Sequence, residues 1–194
     1  MRITHKPTYT PLLVLIALII INTLLARFAV LVLPFGGVTG ISSFYIAVPF
    51  MILFALWFGA YGAIAAYVGC FIGAGVLSGI PPEVSLYWSL ADLWQVLIPL
   101  VALRVADIDL SLENRRDFMY FVVSGVLVNN AFGAAWGTVT LAIGNIIQWT
   151  EITPAFISWF AGNVILTVLI VPLALRYGTP KIRKSTIFVK NYWD

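Results

Sequence analysis

Six apolar stretches run along this chain, each set off from the next by a short polar, glycine-rich or charged segment. They cover approximately residues 11–33, 44–58, 60–79, 87–104, 118–147 and 154–177. At about 1.5 Å per helical residue the first reaches about 34 Å, enough to cross a bilayer with some tilt. It is longer than the apolar core of a cleaved signal peptide, which predicts a retained span. The second is short and carries Pro49, so its length suits either a full span or a re-entrant segment. Between the stretches lie an uncharged glycine-rich loop (34–43), a loop with Pro81, Pro82 and Glu83, the charged segment 104–117, and a turn at 148–153. A basic tail, 178–194, follows the last stretch.

Composition turns this pattern into a statement about solvent. The chain has 194 residues, of which 61% are hydrophobic and 10% charged, against roughly 25% charged in a soluble domain. A soluble protein of this length could not build a polar skin from that inventory. The expectation is one all-α membrane domain, 1–194, with about six transmembrane helices.

Charge sets the orientation. Lys and Arg near the ends of spans are retained on the cytoplasmic side. With six spans, the N-terminus, the 59–62 turn, the 104–117 loop and the C-terminus share one side, and every Lys and Arg except Arg27 falls there. The opposite loops, 34–43, 79–86 and 148–153, contain none. Both termini are therefore expected in the cytoplasm of a prokaryotic cell, with the chain crossing its plasma membrane several times.

Polar residues inside apolar stretches are the candidates for function, because a charge at the centre of a span costs about 2.5–3.5 kcal/mol on insertion scales. Arg27 lies in the outer half of the first stretch, where it either snorkels to the headgroups or faces protein and water. Asp92 lies about a turn inside the fourth, as a helix-end carboxylate or a site residue. Opposite charges at similar depth can pair, or can bracket an anionic or zwitterionic ligand. Gln95 shares the face of Asp92. Trp88, Trp94, Asn145, Trp159 and Asn163 collect at the same level, with Tyr45, Gln148, Trp149 and Glu151 nearby. The tryptophans also suit an interfacial aromatic belt. Asn129 and Asn130 fall mid-span, where an interhelical tie is expected. Gly62, Ala66, Gly69 and Gly73 form a small-residue face on the third stretch, suited to internal helix packing or to a partner membrane protein.

Several chemistries lack their residues. The only histidine, His5, precedes the first stretch, and the only cysteine, Cys70, sits in an apolar run. No disulfide framework, metal site or cofactor is expected. There is no Gly-x-Ser-x-Gly elbow, no His-Glu-x-x-His and no phosphate-binding loop. Nor does a Lys/Arg stripe interleaved with aromatics suggest nucleic acid. The chain is not expected to be an enzyme.

The layout resembles the substrate-binding S-components of energy-coupling factor (ECF) transporters, six-span proteins of about this length that bind vitamins or similar nutrients. The likeness is most specific over VPFMILFALWFGAYGAIAAYVGCFIGAGVLSG (48–79), with its proline-containing second span, Phe58-Gly59 turn and glycine-rich third span. It implies an outward-facing pocket formed by the outer loops and spans 4 to 6, and energising partners: a transmembrane T subunit and two cytosolic ATPases. A weaker resemblance, from Asp92 to Leu175, is to the membrane-associated sensor domain of bacterial histidine kinases and diguanylate cyclases. It rests on Arg115-Arg116-Asp117, Trp149-x-Glu151, Trp159-x-x-Gly162-Asn163 and Pro172-Leu-x-Leu. The expectation is a membrane protein that binds a small nutrient through Arg27, Trp88, Asp92, Trp94, Gln95, Asn145, Trp159 and Asn163. The alternative is a sensory module acting through a separate partner protein.

Overall fold

A computed structural model describes residues 9–31 and 44–193. Helix α1 (Thr10–Phe28) opens with Pro11 in its first turn, where a missing N–H costs nothing. It ends five residues earlier than the apolar run, because strand β1 (Val30–Leu31) pairs antiparallel with β2 (Phe44–Tyr45). The whole of the expected 34–43 loop, with His5 and the other residues before Tyr9, lies outside the described residues. Helix α2 (Ala47–Phe58) is followed after Gly59 by α3 (Ala60–Cys70), which runs on through a π-helical turn, Phe71–Gly75, and a 3-10 turn, Val76–Ser78.

The fourth span begins earlier than Tyr87. A short helix, α4 (Pro82–Trp88), starts on Pro82 and is stacked end to end on α5 (Leu90–Val105), with Ser89 at the joint. The fifth is shifted toward the N-terminus. Helix α6 (Arg115–Phe121) starts where Asn114 accepts the Asp117 N–H at 2.8 Å, a side-chain N-cap. A π-helical stretch, Val122–Val128, joins it to α7 (Asn129–Ile143). The chain then turns through Asn145, in the left-handed region at φ 55°. The last helix, α8 (Ile152–Ile182), runs past both Pro172 and Pro180 and absorbs the start of the expected tail. Five of these helical units, 10–28, 60–78, 82–105, 115–143 and 149–182, are long and apolar enough to cross a membrane.

Helix α2 is the exception, and its surroundings explain its sequence. It has 12 residues and is apolar on every side, the pattern of a helix buried all round. Ten of the 12 are buried, and α1, α3, α5 and α8 pack around it. The surrounding helices turn apolar side chains outward as well. Leu12, Leu13, Ile16, Ile20 and Leu24 on α1, and Ile165, Leu169 and Leu173 on α8, are exposed. Inside are Asn22, Asp92, Gln95, Asn129, Asn130, Asn163 and Thr167. Such an arrangement, apolar without and polar within, is compatible with a membrane protein.

One end of the bundle carries the described basic residues other than Arg27 and is sealed by the C-terminal segment. The last carbonyls of a helix have no intrahelical donor, and α2 finds its donors far along the chain. Arg104 Nη2 donates to the Leu56 and Val189 carbonyls at 2.9 Å each, and the Val189 N–H donates to the Trp57 carbonyl at 3.0 Å. The Ala60 N–H donates to the Tyr192 carbonyl at 2.8 Å, and the Trp193 ring meets Tyr61 edge-on at 5.6 Å. Nearby, Arg183 pairs with Asp109 at 3.0 Å. The Ser111 N–H, with help from Arg183, holds the Asp109 carboxyl below its usual range.

Gly59 makes this closure possible. It adopts φ 58°, and a Cβ there would run into the Tyr192 carbonyl and the Val189 side chain. Gly79, at φ 87°, has open space around it. Gly59→Ala should lower the thermal midpoint of the purified protein by the equivalent of about 2–3 kcal/mol, adding steric displacement to backbone strain. Gly79→Ala should cost only the strain, about 1 kcal/mol. Equal losses from the two substitutions would show that the C-terminal segment does not seat on the α2–α3 joint.

Candidate functional site

At the end of the bundle opposite the basic residues lies a cavity of about 380 Å3, in the range of small-molecule pockets, about 300–1,000 Å3. Its wall takes Ala26 and Arg27 from the end of α1, Tyr45 from β2, Ala74 and Ser78 from the continuation of α3, Trp88 from α4, Leu141 from α7 and Trp159 from α8. Ile80, Ile146 and Ile147 close it from the two turns.

Local sequence explains how each side chain arrives. Added Cβ atoms on Gly69 and Gly73 would run into the α1 backbone from Asn22 to Arg27. Those two glycines therefore let α1 lie against α3, which delivers Arg27 to the rim. Gly62 makes the matching close approach to the Phe54–Ala55 backbone of α2, and Ala66 is fully buried. The small-residue face is thus filled by this chain's own helices. Tyr45 is held by the β1–β2 pair, in register with Val30. Trp88 ends α4, where the Ser85 hydroxyl donates to the Ile80 carbonyl at 3.2 Å and the Ser89 hydroxyl donates to the Ser85 carbonyl. Trp159 lies on Gly137, whose missing side chain makes room for the indole, and meets Trp88 edge-on at 6.0 Å.

The polar groups of the wall are few. Arg27 is exposed and forms no ion pair among the described residues; its guanidinium lies 5.5 Å from the Phe28 ring centroid. Residues 32–43 contain no acidic side chain. The indole N–H groups of Trp88 and Trp159 are buried with no hydrogen-bond partner. The Tyr45 hydroxyl donates to Asp92 Oδ2 at 3.3 Å, and the Cys70 thiol also lies against that carboxylate.

Asp92 is 1% exposed and does not reach the cavity wall. It stands behind Tyr45 and forms no ion pair with Arg27. Gln95 is engaged in the bundle interior. Its Nε2 donates to Asn130 Oδ1 at 2.7 Å, and its carbonyl accepts from Asn129 Nδ2 at 3.1 Å. Asn130 Nδ2 in turn reaches the Val126 carbonyl at 2.8 Å and Thr167 Oγ1 at 3.3 Å, linking α7 to α8. Trp94 belongs to a separate aromatic group with Phe132 and Trp136, at 5.7 and 6.2 Å. Asn145 is exposed on the turn beside Gln148 and Trp149, outside the cavity. Asn163 is 1% exposed, one turn beyond Trp159, and neither end of its amide has a partner. Of the eight expected contact residues, the cavity wall therefore collects Arg27, Trp88 and Trp159. To these it adds Tyr45 and Ser78; Tyr45 carried a sequence signal as an aromatic beside the glycine-rich loop, and Ser78 carried none.

Two further observations bound the chemistry. No cluster of three or more His, Cys, Asp or Glu side chains forms among the described residues. A larger groove of about 830 Å3 lies between α4 and α7, but it is apolar and its only charged group is Glu83. Compared with models of known protein families, with characterised proteins and with solved structures, the chain matches none.

Gly137→Ala tests the cavity wall directly. A Cβ there has to displace the Trp159 ring, and overpacking of that kind costs about 1–3 kcal/mol. The expected result is a lower thermal midpoint with altered tryptophan emission. A substitution silent in both would mean that Trp159 does not rest on α7.

Proposed function

We propose that the protein is a multi-pass membrane protein that binds a small solute at its non-basic end, as the substrate-binding subunit of an uptake system. One observation carries this reading. The body is apolar outside, and its far end holds a cavity that combines aliphatic walls with one cation and two unpartnered indole N–H groups. Concave, mostly apolar sites with a few convergent polar groups are where small molecules bind.

In this account α2 is a short central span, the five longer units surround it, and both termini face the cytoplasm on the strength of the charge asymmetry. The cavity then opens to the outside. Arg27, Trp88, Trp159 and Tyr45 contact the solute, and Asp92 orients the Tyr45 hydroxyl. Asn163, beneath Trp159, offers the next amide inward. Gln95, Asn129 and Asn130 hold the helices together. This chain carries no phosphate-binding loop, so energy for uptake comes from partners, a transmembrane subunit and ATPases of the kind implied by the S-component resemblance.

The sensory reading has one observation of its own. Helix α8 is continuous over 31 residues, from Trp159 in the cavity wall to Thr179, which accepts from Trp57 Nε1 at 3.0 Å at the basic end. A displacement of Trp159 would travel along one continuous helix, with Pro172 between the two ends.

Thermal unfolding of the purified protein against vitamins and amino acids tests the binding proposal. A ligand at about 100 times its Kd should stabilise by about 2.7 kcal/mol, and Trp159→Ala should remove the shift. A screen without any stabilising compound, together with co-purification of a kinase, would replace uptake with signalling.

A further inference from the structure

We propose that the cavity takes a small, water-soluble monoanion, a carboxylate carried on an apolar, planar body, with its charge at Arg27 and its body against Trp88 and Trp159. This rests on the binding reading given above and adds the chemical class of the solute.

The argument is one of charge balance. Arg27 is exposed at the cavity rim, so folding does not require it to be paired, and its guanidinium is free to meet an anion entering the cavity. Arg27 is the only charged residue in the cavity wall, and it has no acidic partner among the described residues. The adjoining segment 32–43, whose composition is known from the sequence, adds neither acid nor base. A carboxylate fits this setting because guanidinium donors match its two oxygens. A cationic solute would meet Arg27 with nothing to offset it. A zwitterion would need an acceptor for its ammonium group; no carboxylate is among the described wall residues, and Asp92 is withdrawn behind the Tyr45 hydroxyl that binds it. A dianion would leave one charge unmatched. Most of the remaining wall is aliphatic or aromatic, with Trp88 and Trp159 set edge to face at 6.0 Å. Their free N–H groups can donate to polar atoms on the solute body.

The same chemistry, a carboxylate on an apolar body, also belongs to a fatty acid from the bilayer. A cavity of about 380 Å3 favours the small soluble form, and the experiment separates the two.

The test uses the full chain in phosphatidylcholine nanodiscs, which supply no anionic lipid. Binding is measured for 4-phenylbutyrate, its amide 4-phenylbutyramide and its amine analogue 4-phenylbutylamine, three probes of nearly equal shape with charges of −1, 0 and +1. The carboxylate should bind at least tenfold more tightly than the amide, and the amine more weakly still. Arg27→Gln should abolish the preference by bringing carboxylate binding down to the level of the amide, and Arg27→Lys should keep most of it. Arg27 is exposed, so these substitutions are not expected to disturb folding. Amide or amine binding as tight as that of the carboxylate, and lost in Trp159→Ala, would overturn the anion assignment and leave the binding site standing. Binding of none of the three would overturn the assignment, while the broader solute screen decides the binding reading independently. Oleate binding more tightly than 4-phenylbutyrate, in an Arg27-dependent way, would give the site to a lipid anion and overturn the soluble class.

Discussion

Polar groups inside this bundle must find their partners within the protein, because its outer surface is made of Leu, Ile, Val and Phe. That constraint organises the structure. In water a stray carbonyl or amide costs little; inside such a body each costs about 1–3 kcal/mol if left without a partner. The Gln95–Asn130–Thr167 chain answers it at the centre, tying α5, α7 and α8 through side chains alone. At the basic end, Arg104 and the C-terminal segment answer it for the last carbonyls of α2, which have no intrahelical donor. The accounting is not closed everywhere: among the described residues the Asn22 amide, Trp94 Nε1, Gln95 Oε1 and Asn129 Oδ1 are also buried without partners. At the far end the indole N–H groups of Trp88 and Trp159 and the amide of Asn163 lack partners too, and in the proposed function a solute supplies partners for the indoles.

Close approach of backbones is the second theme, and it serves the first. Glycines at 69 and 73 bring α1 against α3, Gly137 admits Trp159, and Gly59 admits the Tyr192 carbonyl. Each is a place where a methyl group would push apart two elements that must touch. The cavity follows from the same economy of side chains. Its wall takes pieces from both ends of the chain, and the glycine contacts set their spacing.

Much of the fold could be read from the sequence. The apolar runs correspond to five long helical units and one short one, and Arg27 and Asp92 do stand at the far end. Boundaries moved where local chemistry outweighed hydropathy. Pro82 starts a helix five residues before Tyr87, Asn114 caps one before Phe118, and β pairing at Val30 stops α1 before Leu33. The short run 44–58 suited either a full span or a re-entrant segment because length was its visible property. Its burial on all sides depends on four neighbours that no local window contains. The site was legible in its charges and indoles but not in its directions. Asp92 and Gln95 share a face with each other, yet that face looks at Tyr45 and α7 instead of at open space. Trp94 and Trp159 read alike in sequence, and only tertiary packing sends one to an aromatic cluster and the other to the cavity.

Which end of the bundle faces outward decides whether the cavity can serve uptake. Single cysteines at Gln148 and at Glu113, both exposed, can be placed in a Cys70→Ala background and challenged in intact cells with a membrane-impermeant maleimide. The account predicts labelling at position 148 without permeabilisation, and at position 113 only after it. The reverse pattern, or equal labelling of both in intact cells, would contradict a membrane protein whose cavity opens to the outside.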